Sequence, residues 1–500
     1  MYLTQGLHRA LQRHPARVAL SHLGAQGLQT WTWAQLVDGV ARRAGALQQQ
    51  GVQPGDRVAL LGVNSAQLVQ GLLACWWLGA VACPLNVRWS APELAAALDD
   101  ARPALLLCDA ALQPLVAGCA LPQRTLDRFD ADAQAAAPLP DRRCGGDALA
   151  ALLYTGGTTG RSKGVMLGHA NFWAASMTRG AELNNPPQSV SLLVAPLFHV
   201  AGLGRLVGQL IVGGSCVTLP QFRADAVLQA IAELGISDII VVPSMLQALL
   251  DHPQFDAAQL QGLSRIAFGA APMPPDLLDR ALAAWPQAEF FQAYGLTETA
   301  GAVCINPPST HRGAQRHGPR LHAVGRAGLG AEIRVCDEQG DELPRGQVGE
   351  IVVRGAMVMQ GYWRQPEASA AALRDGWLHT GDAGRMDDEG WLYVVDRLKD
   401  MIISGGENVY SAEVEAALRG HAAVQDAAVV GRPDTRWGEA VHAVLVLHAG
   451  QAATADELQA WCRTRLAGYK CPRSFQFVDA LPMSAAGKVL KNTLRAQANA

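Results

Sequence analysis

Through the first 350 or so residues, short apolar runs alternate with longer segments of helical period, and this alternation limits the fold more than any other feature. RVALLG (57–62), ALLLC (104–108), LAALLYT (149–155), SLLVA (191–195), DIIVVP (238–243) and RIAFGA (265–270) have the length and the leucine or β-branched content of strands covered on both faces. Between them lie segments such as SAPELAAALDD (90–100), where Ser90 is placed as an N-cap and Glu93 follows at capping-box spacing. Strand and helix in alternation predict an α/β fold with largely parallel sheets. Pro- and Gly-rich stretches at 306–320 and 343–349 loosen the pattern before the strand-like EIVVRG (350–355) and WLYVVD (391–396).

From about residue 400 the texture changes. A glycine turn (404–406) leads to a helix, SAEVEAALRG (411–420), strands VQDAAVVG (424–431) and AVHAVLVL (440–447), a helix near 455–467 and a basic tail. Roughly 100 residues of compact α+β make a domain of their own. The expected division is an N-terminal domain of packed sheets and helices over 1–396 and a small α+β domain over 400–500.

Composition then excludes several function classes. With 41 Lys+Arg against 44 Asp+Glu, the formal charge of −3 offers no basic field for nucleic acid and no polybasic anchor for lipid. A hydrophobic share of 49% and a charged share of 17% exclude wholesale disorder. Ten cysteines in 500 residues, with no CxxC, read as sparse buried thiols. The N-terminus MYLTQGLHRALQRHP lacks a signal-peptide apolar stretch. The apolar segment GLLACWWLGAVAC (71–83) is too short to span a bilayer and reads as a core helix. A cytoplasmic protein without a transmembrane segment is expected.

Four segments carry chemistry. YTGGTTGRSKG (154–164) follows a strand and packs four glycines, three threonines and a serine into eleven residues. Backbone N–H groups, hydroxyls and Lys163 can together wrap polyphosphate oxygens, because glycine lets the backbone approach closely. It is not a Walker A loop, since Ser162 stands where that pattern needs glycine. The same stretch matches GxSxG around Ser162, the rival reading of a hydrolase nucleophile, but an elbow requires a sharp turn directly after a strand. FFQAYGLTETAG (290–301) offers an aromatic to stack a base and, in Glu298, a carboxylate suited to Mg²⁺ beside phosphates. In GWLHTGDAGRMDDEGWLYVVDRLKD (376–400), Asp382 and Arg397 stand at opposite ends of an expected hairpin, where a carboxylate can accept ribose hydroxyl protons. PMSAAGKVLKNTLR (482–495) places Lys488 after Gly487 near the C-terminus.

Taken together, and in this order, these segments resemble the adenylate-forming superfamily of acyl-CoA synthetases, luciferases and peptide-synthetase adenylation domains. The resemblance covers essentially the whole chain; Gly156 replaces the commoner serine of YTSGTTG. It implies a large N-terminal domain, a small mobile C-terminal domain, and a site that uses ATP, Mg²⁺ and coenzyme A. By motif, Thr155, Thr158, Thr159 and Lys163 belong to the phosphate loop; Gly269, Ala270, Ala271 and Tyr294 to the adenine side. Thr297 resembles the α-phosphate ligand, Glu298 the metal carboxylate, Asp382 and Arg397 the ribose contacts, Lys399 the hinge and Lys488 the catalytic lysine. For the thiol step, Gly405 and Gly406 would border the pantetheine path, and Trp437 in RPDTRWGE would lie along it. Tyr469, Lys470 and Arg473 would meet the nucleotide end of CoA.

The acid pocket is expected from PLFHVAGLGRL (196–206), with His199 at the carboxylate end, and from GAAPMP (269–274). These segments are mostly apolar and suit a monocarboxylic acid. A dicarboxylate would want a convergent arginine, and Arg205 is the local candidate. A fatty acid is favoured, with an aryl acid of benzoate or cinnamate type as the alternative. Two further readings stay open, a ligase that loads a carrier protein and a luciferase-like oxygenase. A homodimer is left open as the assembly state.

Overall fold

The computed structural model describes residues 1–155, 162–183, 185–269, 273–313, 316, 318–483 and 489–498. The chain divides into two compact units, Met1–Ile333 with Val353–Leu378 and Arg334–Val352 with His379–Ala500.

In the first unit the alternating pattern becomes two sheets. The larger runs Arg326–Ala327, Gly301–Asn306, Glu289–Leu296, Arg265–Gly269, Asp238–Val241, Val190–Leu193, Ser215–Thr218, Val18–Gly24 and Gly27–Thr32. From Glu289–Leu296 through Val18–Gly24 every pairing is parallel, and antiparallel strands close both edges. The second sheet runs Gln123–Thr125, Leu105–Cys108, Arg57–Leu61, Val81–Pro84, Leu149–Thr155 and Lys163–Gly168, parallel except for the last. Phe268 and Phe290 are fully enclosed between the larger sheet and its helices. Burying one such ring contributes about 1.5–3 kcal/mol relative to leaving it exposed.

The helix Ala91–Ala101 starts as its sequence requires, with the Glu93 carboxylate accepting from Ser90 N–H at 2.8 Å and Ser90 Oγ at 2.7 Å. The apolar stretch expected as one helix divides instead. The helix Ala66–Leu78 ends at Gly79, whose φ of 82° only glycine adopts readily, and the chain re-enters the sheet as Val81–Pro84. Among the described residues no helix is long and apolar enough to cross a membrane. All ten cysteines are free thiols.

The second unit has its own sheet, Glu407–Val409, Ile402–Ser404, Gly438–Leu447 and Val424–Asp434, with Ser474–Phe477 added parallel to Gly438–Leu447. The helices Ser411–Arg419 and Ala455–Arg463 supply Val414, Leu418 and Leu458 to its core.

Candidate active site

Parallel strands present their carboxyl ends to ligands, because the loops that follow them cluster there. In the first unit three such ends carry the chemistry-bearing motifs. Leu149–Thr155 delivers Thr155, Arg265–Gly269 delivers Gly269, and Glu289–Leu296 delivers Tyr294 and then Thr297 and Glu298.

Thr155 pairs across the sheet with Lys163, so the described residues on either side of the glycine–threonine motif lie on adjacent strands. Thr158, Thr159, Ala270, Ala271 and Lys488 lie outside the described residues. Ser162 comes immediately before the strand Lys163–Gly168. It therefore enters a strand, where a nucleophile elbow would have it leave one for a helix, so the hydrolase reading lacks its structural context.

The YGLTET turn is shaped by its glycine. A side chain at Gly295 would meet the Gly301 carbonyl oxygen at 1.9 Å, so the irregular pairing between Tyr294 and Gly295 admits nothing larger. Thr297–Thr299 then form one 3-10 turn, whose exit residue Ala300 sits at a φ of 52°. The Thr299 hydroxyl accepts from Leu296 N–H at 2.9 Å and donates to Gly301 O at 2.6 Å. Thr297 and Glu298 are thereby fixed on a braced turn, both half-buried.

Glu298 Oε1 accepts from the Tyr362 hydroxyl at 2.9 Å, and the Tyr362 ring lies 4.7 Å from Lys163 Nζ. Sequence reasoning passed over Tyr362. Its signal was available in GYWRQPE (361–367), an aromatic pair after a glycine, but nothing local ties that segment to the phosphate loop some 200 residues earlier.

Glu298 also tests whether this turn suits a divalent cation. It is a single carboxylate with one oxygen held from the side, and no cluster of three or more His, Cys, Asp or Glu occurs among the described residues. That donor set is wrong for a resident all-protein metal centre and right for Mg²⁺, which takes one or two carboxylates and fills its sphere with phosphate oxygens and water.

On the acid side, His199 is the N-cap of the helix Val200–Val212, its ring 4.5 Å from that of Phe198. A side chain at Gly202 would strike the Pro196 carbonyl oxygen at 2.3 Å, so this glycine serves helix packing, whereas Gly204 has ordinary contact distances. Arg205 is 2% exposed; it is ion-paired with Asp238, and its Nε donates to Ser191 Oγ at 2.9 Å. Burial lowers its pKa well below the usual arginine range. This arginine is engaged at the sheet.

In the second unit, Asp382 and Arg397 face each other across an antiparallel pairing, with Arg397 Nε 2.6 Å from Asp382 Oδ1. Asp382 is 3% exposed and Arg397 more open, so the pair is neither the solvated bridge of a bare surface nor fully interior. Lys399 sits inside a one-turn 3-10 helix, Leu398–Asp400, where burial pushes its ammonium pKa down against the pull of Asp400. The C-terminal helix Lys491–Ala498 braces this stretch. Arg495 donates to Lys399 O at 3.2 Å and to Asp400 Oδ1 at 2.7 Å, while Lys491 Nζ lies 2.7 Å from Glu415 Oε1 and donates to Ser411 Oγ at 2.6 Å. Ser411 Oγ in turn donates to Asp396 Oδ2 at 2.6 Å.

The two glycines of the 404–406 turn differ. Both have positive φ, 65° and 83°. A side chain at Gly405 would meet the Trp437 ring at 2.8 Å, while one at Gly406 would meet nothing within 4 Å. Gly405 N–H donates to Trp437 O at 2.8 Å, which seats the indole beside the turn. Arg473 lies 4.2 Å and Arg436 4.8 Å from the centre of that indole. Lys470 is bound to both carboxylate oxygens of Glu413, at 2.7 and 2.8 Å, and lies 5.8 Å from the Tyr469 ring.

Known proteins resemble this chain over nearly its whole length. The AMP-binding enzyme family matches residues 7–363, and the AMP-binding enzyme C-terminal domain matches residues 413–488. A feruloyl-CoA synthase from Amycolatopsis is 41% identical over 504 aligned residues, covering 97% of each chain. The long-chain-fatty-acid–CoA ligase FadD13 of Mycobacterium tuberculosis is 35% identical, covering 94% of this chain and 93% of its own. Among solved structures, ATP-bound MatB from Rhodopseudomonas palustris superposes with a TM-score of 0.91 at 33% identity, covering 99% of both chains.

Proposed function

The chain belongs to the adenylate-forming family of AMP-binding enzymes as an AMP-forming acid–CoA ligase, and from that premise we propose that its acid is an apolar monocarboxylate of the aryl-propenoate type. The carboxylate of that acid is a poor electrophile, because its oxygen leaves only as a strong base. When it attacks the α-phosphorus of ATP, pyrophosphate leaves and the acid becomes a mixed anhydride with AMP. A thiol then attacks the acyl carbon, and AMP departs with the former carboxylate oxygen.

No side chain need be acylated, so the protein's task is positioning and charge stabilisation. Thr155, Thr158, Thr159 and Lys163 would hold the phosphates, Thr297 the α-phosphoryl oxygens, and Tyr294 with the Gly269–Ala271 edge the adenine. Asp382 would take the ribose, and Lys488 would meet the charge that develops in the first step. Glu298 would hold Mg²⁺, which when bound neutralises charge on the phosphate oxygens. For the second step Gly406, Trp437 and Arg473 are the CoA contacts. A hinge at Lys399 would let the residues after it serve both steps.

The observation that carries the choice of acid is the engagement of Arg205 by Asp238 and Ser191. It takes up the arginine of segment 196–206 that a second substrate carboxylate would need, and apart from His199 the other residues of that segment are apolar or glycine. The 41% identity to a feruloyl-CoA synthase supports an aryl acid over the fatty acid favoured by pocket composition alone. A fatty acid is the second reading, supported by the 35% identity to FadD13.

CoA-dependent AMP release across ferulate, cinnamate, benzoate, octanoate, palmitate and malonate decides between them. We expect kcat/KM highest for ferulate or cinnamate and lowest for malonate. Palmitate ahead of ferulate would install the second reading, and malonate ahead of both would refute the apolar pocket.

A further inference from the structure

The Lys163–Tyr362–Glu298 contact chain has a property that neither end explains. An ammonium and a carboxylate that share one neighbour can close on each other as an ion pair, and each would then be lost to a ligand. Among the described residues no ion pair joins Lys163 to Glu298, and Tyr362 stands between them. Its ring face takes the ammonium at 4.7 Å, and its hydroxyl donates to the carboxylate at 2.9 Å. A ring face attracts a cation through its quadrupole, and the phenol edge donates to an anion, so one side chain satisfies both charges without letting them meet.

The backbone around Tyr362 is tied to both partners. Met359 N–H donates to the Glu298 carbonyl at 2.8 Å. Met166 N–H donates to Gly361 O at 2.9 Å, Trp363 N–H donates to Gly164 O at 2.7 Å, and Val165 bridges to Tyr362. Residues 361–363 are thus laced along the strand that begins with Lys163. Gly361 makes the entry possible, with a φ of 128° and only 3.0 Å between a built side chain and Ser369 Oγ. Ser369 Oγ also accepts from Tyr362 N–H at 2.8 Å, fixing the residue from behind.

We propose that Tyr362 is a positioning residue, a spacer that keeps the Lys163 ammonium and the Glu298 carboxylate apart so that the first is presented to nucleotide phosphates and the second to a divalent cation. This rests on the ATP-dependent reading above. Without the hydroxyl the carboxylate loses its lateral restraint; without the ring the two charges close on each other.

Binding separates these effects without turnover. Mn²⁺ is titrated into protein carrying the non-cleavable α,β-methylene analogue of ATP and followed by paramagnetic relaxation of water, while analogue affinity is measured in EDTA. Wild-type binding of both establishes the ATP site itself, so its absence would fail the functional reading before any variant is tested. In Tyr362→Phe we expect Mn²⁺ affinity to fall by about five- to tenfold, with metal-free analogue affinity within twofold of wild type. In Tyr362→Leu both should fall, and the KM for ATP should rise more than kcat falls. Thioester formation from supplied acyl-AMP should be unchanged in both. Mn²⁺ affinity within twofold of wild type in Tyr362→Phe, or equal losses in the two half-reactions, overturns the proposal. Should Tyr362→Leu not fold, Tyr362→Phe alone decides it.

Discussion

In the first unit the candidate residues Lys163 and Glu298 are joined through Tyr362 into one cluster, whereas the candidate residues of the second are seated on partners of their own. In the first, Lys163, Tyr362 and Glu298 touch in sequence, and the backbone on either side of Tyr362 is bonded to both flanking segments. In the second, Asp382 has Arg397, Lys470 has Glu413, and Trp437 has Gly405 and Arg473, while Lys491, which supports them from the C-terminal helix, has Glu415 and, through Ser411, Asp396. Each station is anchored locally. A cluster suits one ligand held throughout a reaction. Separate stations suit residues that serve different steps, because disturbing one need not disturb the next.

The largest effect that would sharpen this contrast concerns Lys491. Glu415 is 8% exposed and its carboxyl pKa is raised chiefly by burial, with Lys491 opposing. Removing one partner of a buried pair costs at most about 3–5 kcal/mol. Here Arg419 at 3.7 Å and the Val429 N–H at 2.9 Å keep part of the Glu415 charge compensated, so a loss of about 2–3 kcal/mol is expected. In Lys491→Met, amide exchange protection should fall by that amount across the strand Val424–Asp434 and stay unchanged in Arg265–Gly269. Adding Glu415→Leu should restore most of it. Equal loss of protection in both strands would show that the second unit's stations are not local.

Sequence alone made the architecture legible where period and length agree. LAALLYT became the strand Leu149–Thr155 as bounded, because both faces are covered and nothing in it tolerates a turn. GLLACWWLGAVAC was misjudged as a single helix, since hydrophobicity carries no period when every face is buried; Gly79, the breaker, was the overlooked signal. Residues inside contiguous motifs could equally be assigned to their element, Thr297 and Glu298 falling on the turn that follows the strand Glu289–Leu296. What could not be read was pairing at long range. Tyr362 meets Glu298 across 64 positions, and Arg205 is taken up by Asp238 across 33, contacts set by tertiary packing and not by any local pattern.

An effect smaller per pH unit tests how far the first unit depends on buried neutral groups. His169 is 1% exposed, its Nδ1 accepts from Leu3 N–H at 3.2 Å, and burial lowers its pKa to about 4 against the pull of Asp141. Between that value and the ordinary 6.5 the unfolded chain binds more protons than the folded one, so stability rises with pH there. The contribution is complete above about pH 6.5 and is lost as pH falls towards 4, about 3 kcal/mol in all. Denaturant titrations from pH 7 to 4 should show this slope for the first unit, flattened in His169→Gln, whose amide oxygen can accept from Leu3 without titrating. An undiminished slope in that variant would move the sensitivity elsewhere, His311 being held near about 4 in the same way.

The smallest effect separates order from charge in the second unit's basic loop. Arg473 is exposed, yet it lies 4.2 Å from the Trp437 indole, whereas Lys470 is bound to both oxygens of Glu413. If local anchoring is what these residues supply, Arg473→Met should loosen the indole. An exposed cation–π contact is worth about 0.5–1 kcal/mol, a rise of roughly two- to fivefold in the KM for CoA. ATP–pyrophosphate exchange should not change. Lys470→Met should cost less, since its charge is already matched by Glu413. The opposite order, with Lys470→Met the more damaging, would mean that the loop acts through free charge on the phosphates of CoA and that its residues work as one field, which would erase the difference between the two units.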